Sequence, residues 1–330
     1  MILSDIGEDH LKALEEFVLN HPQGNFFQSP QLYNFYKSLP GYKPELFISV
    51  NDTGEINGSL LAVVQKEKGF LKGLLSRRCI VIGGPLIKDN NEELADKLLH
   101  ELINKVKEKS IYIEFRNLFD LSFCKEVFKK KRFEYIAHLN YIVKILSIEE
   151  NFKKLDKRKK WQINKSKKSG SNVSMAKNLK EVKNYFLILE ELYNNKVKKP
   201  LPDYDFFKGM FNSNLGNFFL INYQDKIIGG SLCIIYKNTI YEWYKCGLDK
   251  KYKDVYPSVM ATWAPIEYAA NNGLKYFDFM GAGSPDSDYG VREFKSKFGG
   301  ELVEYGRFLR VNNRFLYFVG KVGIKIMKLI

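Results

Sequence analysis

The chain is poor in the residues that build metal and redox centres. Its four cysteines, Cys79, Cys124, Cys233 and Cys246, form no CxxC pair, and its four histidines, His10, His21, His100 and His138, are scattered without metal-ligand spacing. A zinc or iron site and a disulfide scaffold are therefore excluded as organising features, and a reducing compartment is expected. The N-terminal MILSDIGEDH lacks the basic-then-apolar order of a signal peptide, which adds to the expectation of a cytoplasmic protein. No heptad run long enough for an extended coiled coil is present. Acidic residues are also scarce: 38 Asp and Glu face 52 Lys and Arg, for a net charge of +14.

What the chain does have is length, apolar content and a concentrated basic segment. Its 330 residues, 45% hydrophobic and 15% aromatic, suffice for two cores. Residues 151–200 carry 15 Lys and Arg against 4 Asp and Glu. A solvated helical face is the plain reading of such a run, and a polyanion dock the functional one. On the second reading Lys157, Lys159, Lys160 and Lys165 would neutralise phosphates of nucleic acid or of an anionic surface. One interleaved Trp161 is too little for base stacking.

An internal repeat sets the architecture. Phe47–Leu60 reads as a hairpin whose second strand ends in INGSL, and the segment from Phe219 repeats it with IGGSL at 228–232. About 165 residues further along from Ile111-Tyr112-Ile113-Glu114-Phe115 stands Tyr276-Phe277-Asp278-Phe279. Each follows an amphipathic helix, expected over 91–109 and 258–272. KRFEYIAHLNYIVKIL from Lys131 and SKFGGELVEYGRFLRV from Ser296 fall at nearly the same offset. The chain thus reads as two copies of one α/β (α+β) unit, with a boundary near 146–151. The expected domains are 1–148 and 149–330, the second opening with the basic helix and ending in an amphipathic tail.

The stretch from Tyr276 to Phe308 is the candidate site. A strand leads into a loop broken by Gly281, Gly283 and Pro285, and then into a helix carrying Arg292, Glu293, Phe294, Lys295 and Lys297. Asp286 and Asp288 are placed to cap that helix. Arg292 and Lys295, three apart, share a helix face that would receive phosphate, carboxylate or a developing oxyanion.

This stretch, with its FKSKFGG, resembles the FemABX aminoacyltransferases that build peptidoglycan interpeptide bridges, and the wider FemAB-related acyltransferases. FFQSPQLYNFYK near Phe26 and LDKRKKWQINKSKKSG near Leu155 carry weaker likenesses. The resemblance implies two tandem GNAT-like domains, each a mixed, mostly antiparallel sheet flanked by helices. It also implies transfer of an amino acid from aminoacyl-tRNA to an amine of a peptidoglycan precursor, in free or lipid-linked form, with no resident cofactor. Lys295 matches the lysine of the family's FK motif and would stabilise the tetrahedral intermediate or position an acceptor phosphate. Beside it, Arg292 would hold a phosphate or carboxylate, Phe294 would pack by the reacting ester, and Asp278 would accept a proton. Gln28, Tyr33 and Lys37 resemble residues that help bind the acceptor, and Arg158 is carried over with them.

Tyr244, Tyr256 and Ser258 complete the expected substrate contacts. Tyr241 and Tyr244, three apart on a strand, should face opposite sides, and Tyr244 is the one taken to face the cleft. The turn after Gly247 lacks the paired glycines that hold coenzyme A pyrophosphate in a conventional GNAT enzyme, which favours the tRNA donor. Two alternatives stay open: N-acylation of an amino sugar or nucleotide sugar with acetyl-CoA or another acyl-CoA, and a non-catalytic RNA-binding or membrane-docking module. The C-terminal segment from Arg314 is too short and too charged to span a bilayer. It should pack on the second domain, or else lie peripherally on the inner face of the membrane.

Overall fold

The computed structural model describes residues 1–3, 6–67, 69–286 and 289–329, excepting the side chains of 70–72 and 323–329. The duplication is visible in both of its sheets. The first contains the hairpin Tyr42–Val50 and Ile56–Gln65, then Arg78–Ile82, which lies parallel to Tyr112–Arg116. The second contains the hairpin Asn217–Tyr223 and Lys226–Tyr236, then Thr239–Gly247, which lies parallel to Tyr276–Asp278. Most remaining pairings are antiparallel. Each parallel pair is joined by a helix, Glu92–Val106 in the first copy and Pro257–Asn271 in the second.

The apolar periodicity of these helices explains their placement. Leu94, Leu98, Leu99, Leu102 and Val106 fall on one face of the first and pack against Phe47, Leu60 and Phe115. Val259, Met260, Trp263 and Ile266 do the same in the second, against Phe219, Ile240 and Phe277. The basic helix runs from Lys157 to Lys168, with Asp156 accepting from the Arg158 amide at its start.

The expected boundary is corrected by the closing strands. The chain forms one unit from 1–137 with 305–330 and a second from 138–304. Glu134–Ile136 pairs in the first sheet, but the next strand, Leu139–Lys144, pairs with Tyr276–Asp278 and Glu301–Glu304 in the second. Reciprocally, Arg307–Val311 pairs with Tyr112–Arg116 in the first. The terminal strand of each repeat therefore completes the sheet of the other.

The C-terminal helix Arg314–Leu329 consequently belongs to the first unit, not the second, and the Tyr317 ring packs edge-on against Tyr112 at 5.5 Å. Among the described residues, no helix is long and apolar enough to cross a membrane. No cluster of three or more His, Cys, Asp or Glu is arranged to hold a metal.

Candidate active site

Lys295 lies on the short helix Gly290–Ser296 and is only 8% exposed. Its Nζ donates to the carbonyl of Phe279 at 2.8 Å and to that of Gly281 at 2.6 Å. Arg292, one turn earlier on the same face, donates to the Ser284 carbonyl at 2.5 Å. Both cations thus turn toward the loop that follows Asp278. That loop needs holding, because Met280, Gly281 and Gly283 all have positive φ, and a non-glycine residue at φ 58° is strained.

Asp278 and Asn140 fix the loop from beneath. Asn140 donates to Asp278 Oδ1 at 2.7 Å, and the same oxygen accepts from the Met280 amide at 2.6 Å. Asn140 Oδ1 accepts from the Gly281 amide at 2.7 Å. Burial pushes the Asp278 carboxyl above its usual range, against these hydrogen bonds and the Lys295 charge. With Oδ1 doubly used and the residue 3% exposed, Asp278 ties the loop to Asn140. Asp286 does not cap the helix; its carboxylate accepts from the Ser284 hydroxyl, and Tyr289 stands at the N-cap with no side-chain cap bond. Asp288 lies outside the described residues.

A second lysine arrives by a route invisible in strand periodicity. Residues three apart on a regular strand face opposite sides. Leu232 pairs with Tyr244 and Cys233 with Glu242, so Trp243 is an extra, bulged residue. The bulge brings Glu242 and Lys245 to one face: Lys245 Nζ donates to Thr262 Oγ1 at 2.9 Å, and the Thr262 hydroxyl donates to Glu242 Oε1 at 3.0 Å. The same bulge removes the parity on which the opposite-face expectation for Tyr241 and Tyr244 rested. Tyr244 stacks with Trp243 and packs edge-on to Phe207 at 5.3 Å, within an aromatic cluster.

Phe294 links Lys245 to the basic helix. The Lys245 ammonium lies 3.9 Å from its ring centroid and the Lys159 ammonium 4.3 Å. Lys159, 7% exposed, donates to Gln162 Oε1 at 3.1 Å. Burial lowers the affinity of Lys295, Lys159 and Lys245 for their protons, to pKa values of about 8 for the first two. For Lys159 the charges of Lys245, Lys297 and Arg158 add to the effect. Lys159 is thus part of this buried cluster and not of an exposed patch. Of the other three patch residues, Lys157 is exposed, Lys160 half-buried, and Lys165 paired with Asp254 at 2.5 Å.

Tyr256 and Ser258 mark the start of the helix Pro257–Asn271. Tyr256 adopts φ 51° and meets Trp161 edge-on at 5.7 Å. Asp249 accepts from the Ser258 amide at 3.1 Å and from its hydroxyl. The chain's own carboxylate therefore fills this helix N-terminus. A Cβ at Gly247 would come 2.5 Å from Ser258 Oγ, so the approach of the strand end to the helix is already close.

In the first unit Gln28 is fully buried, and its amide is consumed internally. It donates to the carbonyls of Leu61 and Ile82 and accepts from the Leu61 amide, which ties two strands together and leaves it unsuited to a substrate. Tyr33 and Lys37 lie on the helix Pro30–Ser38, with the exposed Lys37 ammonium 5.3 Å from the Tyr33 ring. Arg158 is exposed on the basic helix. Sequence reasoning missed Lys245, Glu242, Thr262 and Asn140. An acid and a lysine three apart in an apolar strand were the available signal for the first two.

Comparison with known proteins places this arrangement. No curated protein matches by sequence. Among solved structures, FemX matches with a TM-score of 0.70 and 15% identity, covering 97% of this chain and 99% of that one. L-PGS from Bacillus licheniformis matches at 0.55 and 13%, covering 92% and 98%. A tandem GNAT protein from the clavulanic acid biosynthesis pathway matches at 0.57 and 8%, covering 94% and 98%. These likenesses establish the tandem GNAT-like fold. The FemAB family model matches residues 218–322, the segment that carries Glu242, Lys245, Thr262, Asp278, Phe294 and Lys295. The likeness to that family is therefore concentrated in the segment that carries the site.

Proposed function

We propose that the protein transfers an aminoacyl group from aminoacyl-tRNA to an amine of a peptidoglycan precursor. The family match supports the peptidoglycan acceptor. The observation that carries the choice of donor is Asp249, whose carboxylate takes up the Ser258 amide and hydroxyl where an acyl-CoA pyrophosphate would need free backbone amides. Placing a pyrophosphate beside that carboxylate would be repulsive.

In this reaction the acceptor amine attacks the ester carbonyl, a C–N bond forms, and the C–O ester bond breaks. The amine's proton leaves as the ribose hydroxyl of the tRNA departs. Lys295, held by two carbonyls, presents a cation to the oxyanion, and the clamped loop 279–284 keeps that cation in place before the substrates arrive. The precursor's lipid-linked form would bring the protein to the inner membrane face. Phe315 and Phe318, 75% and 66% exposed one helical turn apart, support such peripheral contact.

The test is incubation with charged total tRNA or with acetyl-CoA, and with muropeptide and amino-sugar acceptors, read by mass. Amino-acid addition to a muropeptide from tRNA is expected. Saturable acetyl-CoA binding by calorimetry, with acetyl transfer and none from tRNA, would overturn the donor assignment.

A further inference from the structure

We infer that Lys159 and Lys245, both in contact with the Phe294 ring, form a subsite for a phosphate group of a substrate. Both ammonium groups lie against one ring, within 4.3 Å of its centroid, and the charge of Lys245 acts on Lys159. Neither has a carboxylate within ion-pair distance among the described residues. Lys159 is nearly buried, and among the described residues its ammonium donates to the neutral Gln162 amide alone. Lys245 reaches Glu242 only through the Thr262 hydroxyl.

A buried cation without an ion-pair partner is costly, and a second, half-buried cation against the same ring adds to that cost. A fold that needed only packing could place apolar side chains here at no such cost. An arriving oxyanion supplies the missing charge and accepts the N–H donors that Gln162 and Thr262 leave unused. Lys245 and Phe294 are half-buried, so the pair is open on one side. Burial lowers the proton affinity of both lysines, and the charges of Asp249 and, for Lys245, Glu242 offset it only in part.

The subsite rests on the acyl-transfer reading only for the carrier of the phosphate, which is either the nucleic acid donor or a nucleotide-linked acceptor. Binding is read without turnover, so an empty subsite and a wrong reaction are distinguishable. The probe is inorganic phosphate, followed by calorimetry. Lys159→Gln and Lys245→Gln should each weaken it about tenfold, the scale of one charge-assisted hydrogen bond, while Lys157→Gln should not. Competition by a single-stranded RNA oligonucleotide with the tRNA 3′ end would assign the phosphate to the donor, and competition by uridine diphosphate to the acceptor.

A second measurement needs no variant. On the wild-type chain, phosphate should protect Lys159 and Lys245 from reductive methylation, read by mass spectrometry, and leave Lys157 and Lys160 unprotected. Wild-type affinity in both glutamine variants, protection confined to the exposed lysines, or no saturable binding at all would overturn the inference.

Discussion

Lys295 has two duties that pull apart in any substitution. It anchors the carbonyls of Phe279 and Gly281, so Lys295→Ala should cost about 1–3 kcal/mol of stability by leaving them unpaired, in addition to any loss in turnover. Asn140→Ala provides the control, because it loosens the same loop without removing a cation. We expect kcat to fall about a hundredfold or more in Lys295→Ala and much less in Asn140→Ala. Equal losses would reduce Lys295 to a loop anchor. The pH profile tests the sign of its role. With its proton affinity lowered by burial to a pKa of about 8, a lysine acting as a cation loses activity as pH rises through that value, whereas one acting as a base gains it. The falling limb should disappear in Lys295→Arg, whose guanidinium stays charged.

At the scale of elements, the helix Pro257–Asn271 depends on a cap from outside itself. Tyr256 at its N-cap is left-handed and offers no side-chain acceptor, so Asp249 does that work from the preceding turn. Asp249→Ala should destabilise the protein by about 1 kcal/mol, lowering the melting temperature by about 2–4 °C in a domain of this size. An unchanged melt would mean the helix start is held by packing alone. The C-terminal helix makes a different prediction. Phe315 and Phe318 are exposed while Tyr317 packs inward on Tyr112. Replacing both phenylalanines with serine should reduce sedimentation with anionic vesicles and leave turnover on a soluble acceptor intact; equal sedimentation would rule out this face as the membrane contact.

For the molecule as a whole, the +14 charge matters through where it is exposed. Lys165 and Lys167 are paired with Asp254 and Glu267, and Lys159 is turned inward, so the segment offers a polyanion fewer charges than its composition suggests. Reversing the exposed Lys153 and Lys157 and the half-buried Lys160 to glutamate should weaken tRNA binding and lower the salt slope by about one unit for each lost contact. Loss of vesicle binding with an unaltered tRNA slope would make the patch a lipid contact.

The sequence by itself determined the repeat, the hairpins, the connecting helices and the glycine-bearing loop with its FK pair, because each is written in local periodicity or turn chemistry. The helix expected over 91–109 spans Glu92–Val106, and that expected over 258–272 spans Pro257–Asn271. Tertiary structure alone decided which sheet each closing strand joins. Leu139–Lys144 and Arg307–Val311 have similar strand patterns, and in a duplicated chain either sheet edge suits either strand locally. It also decided which lysines are functional candidates. Lys157 and Lys159 look alike in a basic run, but helix rotation puts one in solvent and the other on Phe294. The strand bulge at Trp243 does the same for Lys245, since one unpaired residue changes the face of everything beyond it.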